Sequence, residues 1–208
     1  MSSDTTMSTA SLQSLLPADL DTVAVSLDLE STLAHCHEYF IQQYNSEFGT
    51  SYVRDDIDDW DWVREEIEFE DFNRIVNDGW RNCHTEIAVM EPGLADLVAR
   101  MHDHPRIEVD IVTARTGVED GMQAWLAANG ITEYGEFIAT TTSKAQLDYN
   151  VYIDDRPGLA NDLPHGKMQY LIQGPHNEPA ITHERTIAVP TVRKASTDLF
   201  NYLDGANQ

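Results

Sequence analysis

Residues 22–28 read TVAVSLD, an apolar, β-branched run that ends in an acid. Three later runs are likewise apolar: IEVDIVT at 107–113, NVYIDD at 150–155 and MQYLI at 168–172. Short continuous apolar runs are typical of strands that are buried on both faces of a parallel sheet. We therefore predict four buried parallel strands.

Helical patterns separate the later runs. Periodic apolar stretches lie at 93–103 and 118–129, and Gly130 ends the second. The remaining signals are a short helical piece opened by Ser143 and a last helix near 195–203, after a tail that is marked as loops by Gly174, Pro175, Pro179 and Pro190. Alternation of strands and helices predicts an α/β fold with an open, doubly wound parallel sheet.

Residues 34–90 break this alternation, because they are helical in pattern, acidic and rich in aromatic side chains. We predict a small helical cap inserted at 35–89, between the first and second strands. The α/β core then comprises residues 21–34 plus 90–208, and residues 1–20 are predicted to be a disordered or frayed tail. A chain of 208 residues can bury one core of this kind.

The charge of the chain is strongly negative: 36 acidic residues face 13 basic ones, for a formal net charge of −23. No basic stripe exists to neutralise phosphates, so a nucleic acid polymer is excluded as a partner. Strong salt would screen such self-repulsion, and we hypothesise a halophilic, salt-rich cytoplasm. An ordinary acidic protein is the alternative.

The chain has no apolar stretch near the roughly 20 residues that cross a bilayer, and its first twenty residues lack a basic signal-peptide region. We expect a soluble cytoplasmic protein without a membrane partner. Cys36 and Cys83 fit no metal-binding spacing and are predicted to be reduced and structural. The sequence leaves the oligomeric state open.

Polar residues follow the predicted strands where a ligand site is expected, since ligands bind beyond the carboxyl ends of strands in an open parallel sheet. The strand ends supply Asp28-Leu29-Glu30-Ser31-Thr32, Thr113-Ala114-Arg115 and Asp154-Asp155-Arg156, and Lys144 begins a helical piece before the third of these. Carboxylates of this kind can hold Mg²⁺ in an oxygen cage, while a hydroxyl and a cation can bind phosphate oxygens.

Four segments, LDLESTL, IVTAR, SK and YIDDRP, occur in the order of the four motifs of haloacid dehalogenase-like phosphatases, which the chain resembles over most of residues 22–175. A response-regulator receiver domain has similar residues but places its paired acids first. A narrower similarity, to the cytosolic 5′-deoxyribonucleotidases, is carried by the helical cap, by VTAR followed by MQAWLAANGI, by IDDRP and by YLIQGPHN. The resemblance implies a Rossmann-like core and hydrolysis of a small phosphorylated substrate, with a nucleoside monophosphate expected.

The resemblance also implies roles for individual residues. Asp28 would attack phosphorus and form an aspartyl-phosphate that water then hydrolyses. Mg²⁺ would be held by the carboxylate of Asp28, the backbone carbonyl of Glu30 and Asp154, with Asp155 close by. Thr113 and Lys144 would take part in catalysis by binding the phosphate oxygens that are not transferred, and the implied substrate-binding set is completed by Thr32, Ala114 and Arg115.

Glu30 departs from the family pattern, which has Asp two residues after the nucleophile as general acid and base. The longer side chain keeps the same proton chemistry, so an active hydrolase is one interpretation. The alternative is a weak or inactive relative that binds a phosphorylated ligand, because misplacing a group by 1 Å can cost about 10²-fold in rate.

Two further groups of residues invite a functional interpretation. His35 and His37 flank Cys36, but no further His or Cys lies at ligand spacing in the sequence, so we prefer a structural role for both. Three tryptophans of the cap, Trp60, Trp62 and Trp80, are candidates to stack on a nucleobase, although we prefer a core role for the cap aromatics and single out none of them.

Overall fold

Six parallel strands form one sheet in a computed structural model of the chain, which describes residues 12, 14–17, 20–60, 62, 66–180 and 183–205. The strands are β1 (Val23–Asp28), β2 (Ile107–Thr113), β3 (Phe137–Ala139), β4 (Val151–Asp154), β5 (Met168–Ile172) and β6 (Thr186–Val189). Their order is β3-β2-β1-β4-β5-β6, and every neighbouring pair is parallel. The predicted doubly wound parallel sheet is confirmed.

Six α-helices accompany the sheet within the described residues: α1 (Cys36–Phe48), α2 (Phe69–Asn82), α3 (Leu94–His102), α4 (Glu119–Ala128), α5 (Leu159–Asp162) and α6 (Val192–Gly205). Short 3₁₀ turns lie at Arg54–Asp56, His84–Glu86, Lys144–Gln146 and Pro175–Ala180. The helix predicted near 195–203 therefore begins three residues earlier and continues to Gly205. The helical piece predicted at Ser143 is a single 3₁₀ turn.

The sequence missed two strands. The tail that we predicted to be loops contains β6, so that prediction was wrong. β3 has only three residues, all of them partly exposed. Each missed strand lies at an edge of the sheet, where one side has no partner strand and a short run is enough, so neither produces the long apolar pattern of the central strands.

The segment predicted to be a cap contains α1 and α2, which lie between β1 and β2 along the chain. Two glycines allow α2 to pack closely on both sides. A Cβ at Gly79 would lie 2.4 Å from the ring of Tyr39 on α1, and a Cβ at Gly121 on α4 would lie 1.8 Å from the carbonyl oxygen of Trp80. Helix α2 is thus held between α1 and α4, while the division into cap and core stays a prediction.

Part of the N-terminal range 1–20 is described. Leu12 and Leu16 are buried in the hydrophobic core, and the Leu16 N–H donates to the Leu12 carbonyl. These residues are packed rather than frayed, and most of the other residues of the predicted tail lie outside the described ones. No helix in the described part of the chain has the length and apolar character needed to span a membrane.

The strand order reverses between β1 and β4, because the connections from β1 lead to one side of the sheet and those from β4 to the other. Such a switch point opens a crevice at the carboxyl ends of the two strands. β1 ends at Asp28 and β4 at Asp154, so the topology places two carboxylates at this crevice.

Candidate functional site

Three buried carboxylates and one lysine meet at the switch point. Carboxylate oxygens of Asp28, Asp154 and Asp155 all lie within 4.8 Å of one another. The ammonium of Lys144 donates to Asp28 Oδ1 and, at 2.7 Å, to Asp154 Oδ2. The structure therefore brings together the predicted nucleophile, the predicted metal-binding acids and the predicted phosphate-binding cation.

The carboxylates repel one another in a buried site. Burial raises the pKa of Asp28 well above its usual value; Lys144 opposes this shift, and Asp154 and Asp155 add to it. Burial also raises the pKa of Asp155, against the effect of a hydrogen bond from His176. For Lys144, burial lowers the pKa, but the attraction of Asp154 and Asp28 outweighs it and the net pKa is raised. Lys144 therefore keeps its proton, but its single positive charge does not balance the three carboxylates.

The residues present fit a magnesium ion. When ionised, three carboxylates beside one ammonium carry a net charge of −2, which one divalent cation neutralises. Their oxygens are the ligands that Mg²⁺ prefers. The backbone N–H of Arg156 donates to Asp154 Oδ1 at 2.8 Å and fixes the direction of that carboxylate.

The other predicted substrate-binding residues surround this centre. Thr32 is fully buried, and its hydroxyl donates to Asp28 Oδ2 at 3.3 Å, so it contacts the predicted nucleophile itself. Thr113, also fully buried, accepts a hydrogen bond at its hydroxyl from the Arg115 N–H at 3.0 Å. Ala114 and Arg115 line the cavity above the acids.

Glu30 is bound by residues of other elements. Its Oε1 accepts from Arg115 Nε at 2.6 Å and from Trp80 Nε1 at 3.1 Å. The next residue, Ser31, has a φ of 58°, in the left-handed region where a side chain is strained. The turn formed there is closed by hydrogen bonds from the N–H groups of Leu33 and Ala34 to the Leu29 carbonyl.

Arg115 also binds α2. Its Nη1 donates to the side-chain oxygens of Asn77 at 3.0 Å and Asn73 at 3.3 Å, and its guanidinium lies 5.8 Å from the ring centre of Phe72. The guanidinium of Arg115 thus links Glu30, beyond the carboxyl end of β1, to helix α2. Sequence reasoning missed both asparagines, which carry no signal beyond their position on a helix.

A cavity of about 260 Å³ opens over the carboxylates. Its upper wall is apolar and aromatic, formed by Ile57, Trp60, Phe69, Phe72 and Val76. Trp60 and Phe69 are 41% and 44% exposed, which is unusual for such large apolar side chains and marks a surface that can bind a ligand.

Two of the three tryptophans proposed to stack on a base cannot do so. Trp80 is fully buried, where it binds Glu30 and meets the Trp125 ring edge to face. Trp62 is 7% exposed and packs against Tyr52. These two side chains agree with the preferred interpretation as core residues, because aromatic side chains of a small helical segment are needed for its core. Trp60 lines the cavity.

A histidine that sequence reasoning missed lies beside Asp155. His176, in the 3₁₀ turn after β5, places its Nε2 3.0 Å from Asp155 Oδ2, and the neighbouring Asn177 donates to the Asp155 carbonyl at 2.8 Å. His37 meets the His176 ring edge to face, with 4.6 Å between centroids. Burial, together with His176 and Arg54, holds the pKa of His37 well below its usual range. The only signal in the sequence was the segment YLIQGPHN itself.

Both cysteines are free thiols, as predicted. Burial, and then the charge of Glu30, raises the pKa of Cys36 well above its usual value. The Cys36 thiol lines the cavity but is protonated, and a protonated thiol is a poor nucleophile. Asp28 stays the predicted nucleophile.

No protein-family model matches the sequence, and a search of curated proteins finds no similar one. Among solved structures, the chain is similar to a haloacid dehalogenase-like family hydrolase from Xanthomonas campestris, with a TM-score of 0.55 and 14% identity over 90% of this chain and 99% of that chain. It is also similar to a putative β-phosphoglucomutase from Thermotoga maritima, with a TM-score of 0.50 and 14% identity over 88% of this chain and 99% of that one.

A third similar structure is CbbY from Rhodobacter sphaeroides in complex with xylulose bisphosphate. Its TM-score is 0.50, at 14% identity over 80% of this chain and 93% of that chain. Structural similarity at identities this low establishes the fold alone, and the activity has to be argued from the site. The chain has the α/β fold of the haloacid dehalogenase-like hydrolases.

Proposed function

We propose that this chain is a Mg²⁺-dependent phosphomonoester hydrolase that uses Asp28 as its nucleophile. The observation that carries the proposal is the meeting of Asp28, Lys144 and Asp154 at the switch point of a sheet of this fold. A metal at the three carboxylates would offset charge on the phosphoryl oxygens. Mg²⁺ is the cation that their oxygen ligands favour.

The side chains then divide the work. Thr32 and Lys144 hold the Asp28 carboxylate so that one oxygen can attack phosphorus, which breaks the bond to the leaving oxygen and forms an aspartyl-phosphate. Lys144 also offsets negative charge that gathers on the phosphoryl oxygens. Glu30 would give a proton to the leaving oxygen and take one from the water that releases phosphate. Its contact with Arg115 must loosen for either transfer.

The substrate class that we propose is the nucleoside monophosphates, as the narrower sequence similarity implies. The aromatic wall supports this choice, because Trp60, Phe69 and Phe72 stand over the carboxylates across a cavity of about 260 Å³. Stacking a base on one such ring contributes about 1–3 kcal/mol. CbbY in complex with xylulose bisphosphate makes sugar phosphates the second class to test. We propose that the protein acts in the cytoplasm.

A second function, the binding of a phosphorylated ligand without efficient turnover, is favoured by one observation. Glu30 is already bound by Arg115 and Trp80 and is not aimed at Asp28 by any contact that the structure records among its described residues. A carboxyl group held there could neither protonate the leaving oxygen nor take a proton from the attacking water.

One experiment separates the two functions. The purified chain is offered nucleoside monophosphates and sugar phosphates with Mg²⁺, at low and at multimolar salt, and both phosphate release and binding are measured. Hydrolysis that disappears in EDTA and in Asp28→Asn supports the hydrolase, because an amide can neither attack phosphorus nor hold the cation as a charge. Unchanged turnover in either condition excludes the proposed mechanism, and binding without turnover establishes the second function.

A further inference from the structure

A second group of metal-binding side chains shares Asp155 with the acidic cluster, so that this carboxylate would lie between two ions. It consists of His37 on α1, Asp155 after β4 and His176 in the turn after β5, and one ligand atom from each lies within 4.8 Å of the others. Asp155 and His176 are buried, and His37 is partly buried. All three line the cavity described above. The sequence disfavoured a metal at His37 because its nearest partner comes from the far end of the chain.

The spacing of the ligand atoms is close to that of neighbouring ligands on one ion. Imidazole nitrogens and carboxylate oxygens bind zinc at about 2.0–2.2 Å in a tetrahedral arrangement, so two of them are about 3.4 Å apart. The separation of His176 Nε2 and Asp155 Oδ2 is 3.0 Å. Two imidazoles on one tetrahedral ion would have centroids about 5 Å apart by the same geometry. Those of His37 and His176 are 4.6 Å apart, at 72° between the ring planes.

A structural role accounts for only part of this arrangement. The contact between His176 and Asp155 serves as an ordinary hydrogen bond, and Asn177 supports both residues. His37 has no such explanation. Among the described residues it makes no hydrogen bond, and its polar ring is placed edge to face against a second imidazole at the wall of a water-accessible cavity.

We propose that His37, Asp155 and His176 form a second metal site, for a divalent transition-metal ion such as Zn²⁺ or Co²⁺. Two imidazoles and one carboxylate suit these ions, whereas the three-carboxylate cluster suits Mg²⁺. Three protein ligands leave a position open towards the cavity, where water or a phosphate oxygen can bind. The ion would also link α1, which carries His37 of the segment 35–89, to the carboxyl end of β4, which Asp155 follows.

The test is a titration of the full-length protein with Co²⁺ in saturating Mg²⁺, followed by visible absorption and by calorimetry. We expect one equivalent of Co²⁺ to bind with the intense bands of a four- or five-coordinate ion. His37→Ala should weaken binding by at least about tenfold, the lower end of what the loss of even an outer-shell partner costs. His176→Gln should do the same, and its circular dichroism reports whether it has folded.

The matched control is His35→Ala, which removes a half-buried imidazole two residues away on the same turn of chain and should leave Co²⁺ affinity unchanged. Asp28→Asn should lose hydrolysis but keep the Co²⁺ bands, so failure of the proposed hydrolase and failure of this site are distinguishable. Equal Co²⁺ affinity in wild type and His37→Ala, or Co²⁺ bands of a six-coordinate ion with oxygen ligands alone, would overturn the proposal.

Discussion

Replacing Glu30 by Gln separates the position of this side chain from its proton chemistry. Glu30 Oε1 accepts hydrogen bonds from Arg115 Nε and Trp80 Nε1, and glutamine keeps an oxygen at that place. A hydrogen bond to a charged group contributes about 1.5–3 kcal/mol, against about 0.5–1.5 kcal/mol for a neutral pair. Arg115 stays charged in the variant and only the bond from Trp80 becomes a neutral pair, so the variant should lose about 1 kcal/mol of stability. For a chain of this length we expect the melting temperature to fall by about 2–4 °C.

Turnover should respond far more strongly than stability. Positioned acid-base catalysis supplies about 10²–10⁴-fold, and an amide cannot transfer the proton. We expect a loss of that size in the rate of phosphate release from the best substrate of the panel, with Mg²⁺ saturating. A Glu30→Gln variant that keeps wild-type turnover while Asp28→Asn is inactive would refute an acid-base role for Glu30.

The matched control is Glu30→Asp, which keeps the acid and shortens its stem. The carboxylate withdraws by about 1.5 Å, one carbon–carbon bond. Trp80, which is fully buried, then loses its acceptor, at a cost of about 1–3 kcal/mol. We therefore expect Glu30→Asp to melt at or below the temperature of Glu30→Gln, and to hydrolyse more slowly than wild type because the turn around Ser31 is built for Glu. A melting temperature above that of wild type would contradict this account of the contacts.

Three more outcomes follow from the charges of the site and surface. Lys144→Ala should lower turnover by about 10²–10³-fold, since it removes a buried cation from the phosphate site; a loss under about fivefold would place Lys144 outside it. The melting temperature should rise steeply between about 0.1 and 2 M KCl if the net charge of −23 reflects adaptation to salt, and a flat curve favours an ordinary acidic protein. Burial raises the pKa of Asp28 above its usual 3.8, so the folded chain binds the Asp28 proton more tightly than the unfolded chain does. In EDTA, the stability that this protonated carboxyl contributes is therefore lost as pH rises through the raised pKa. Mg²⁺ must displace the proton, so its affinity should increase with pH in calorimetry, and a pH-independent affinity would contradict the raised pKa.

The acidic centre could be predicted because it depends on short-range rules. An apolar run that ends in an acid places that acid at the carboxyl edge of a parallel sheet, whatever the order of the strands. Asp28 and Asp154 follow two such runs, and the structure adds that β1 and β4 are neighbours. Lys144 was predicted from the motif order alone, and the structure places its ammonium against both acids.

The histidine cluster could not be predicted, because it depends on contacts between distant segments. Its ligands come from α1, from the end of β4 and from the turn after β5, and the sequence gives no spacing that relates them. The spacing of ligands in the sequence reveals a metal site when one turn or helix contains them all. It does not reveal a site whose ligands are brought together by tertiary packing. The same limit explains Trp62 and Trp80, whose burial is decided by packing that the aromatic content of a segment does not reveal.

The sequence identified Glu30 as a departure from the family pattern, but the consequence lies in residues that no motif contains. The position of its carboxylate is set by Arg115 after β2 and by Trp80 on α2, and Arg115 is held in turn by Asn73 and Asn77 of the same helix. Any displacement of α2 would change the contacts of Arg115 and, through them, the position of Glu30. The helix that carries Phe72 and Val76 of the apolar wall thus also sets the place of the proposed acid. The longer acid at this position therefore reaches the indole N–H of Trp80 on α2, which a shorter Asp could not reach from the same backbone position.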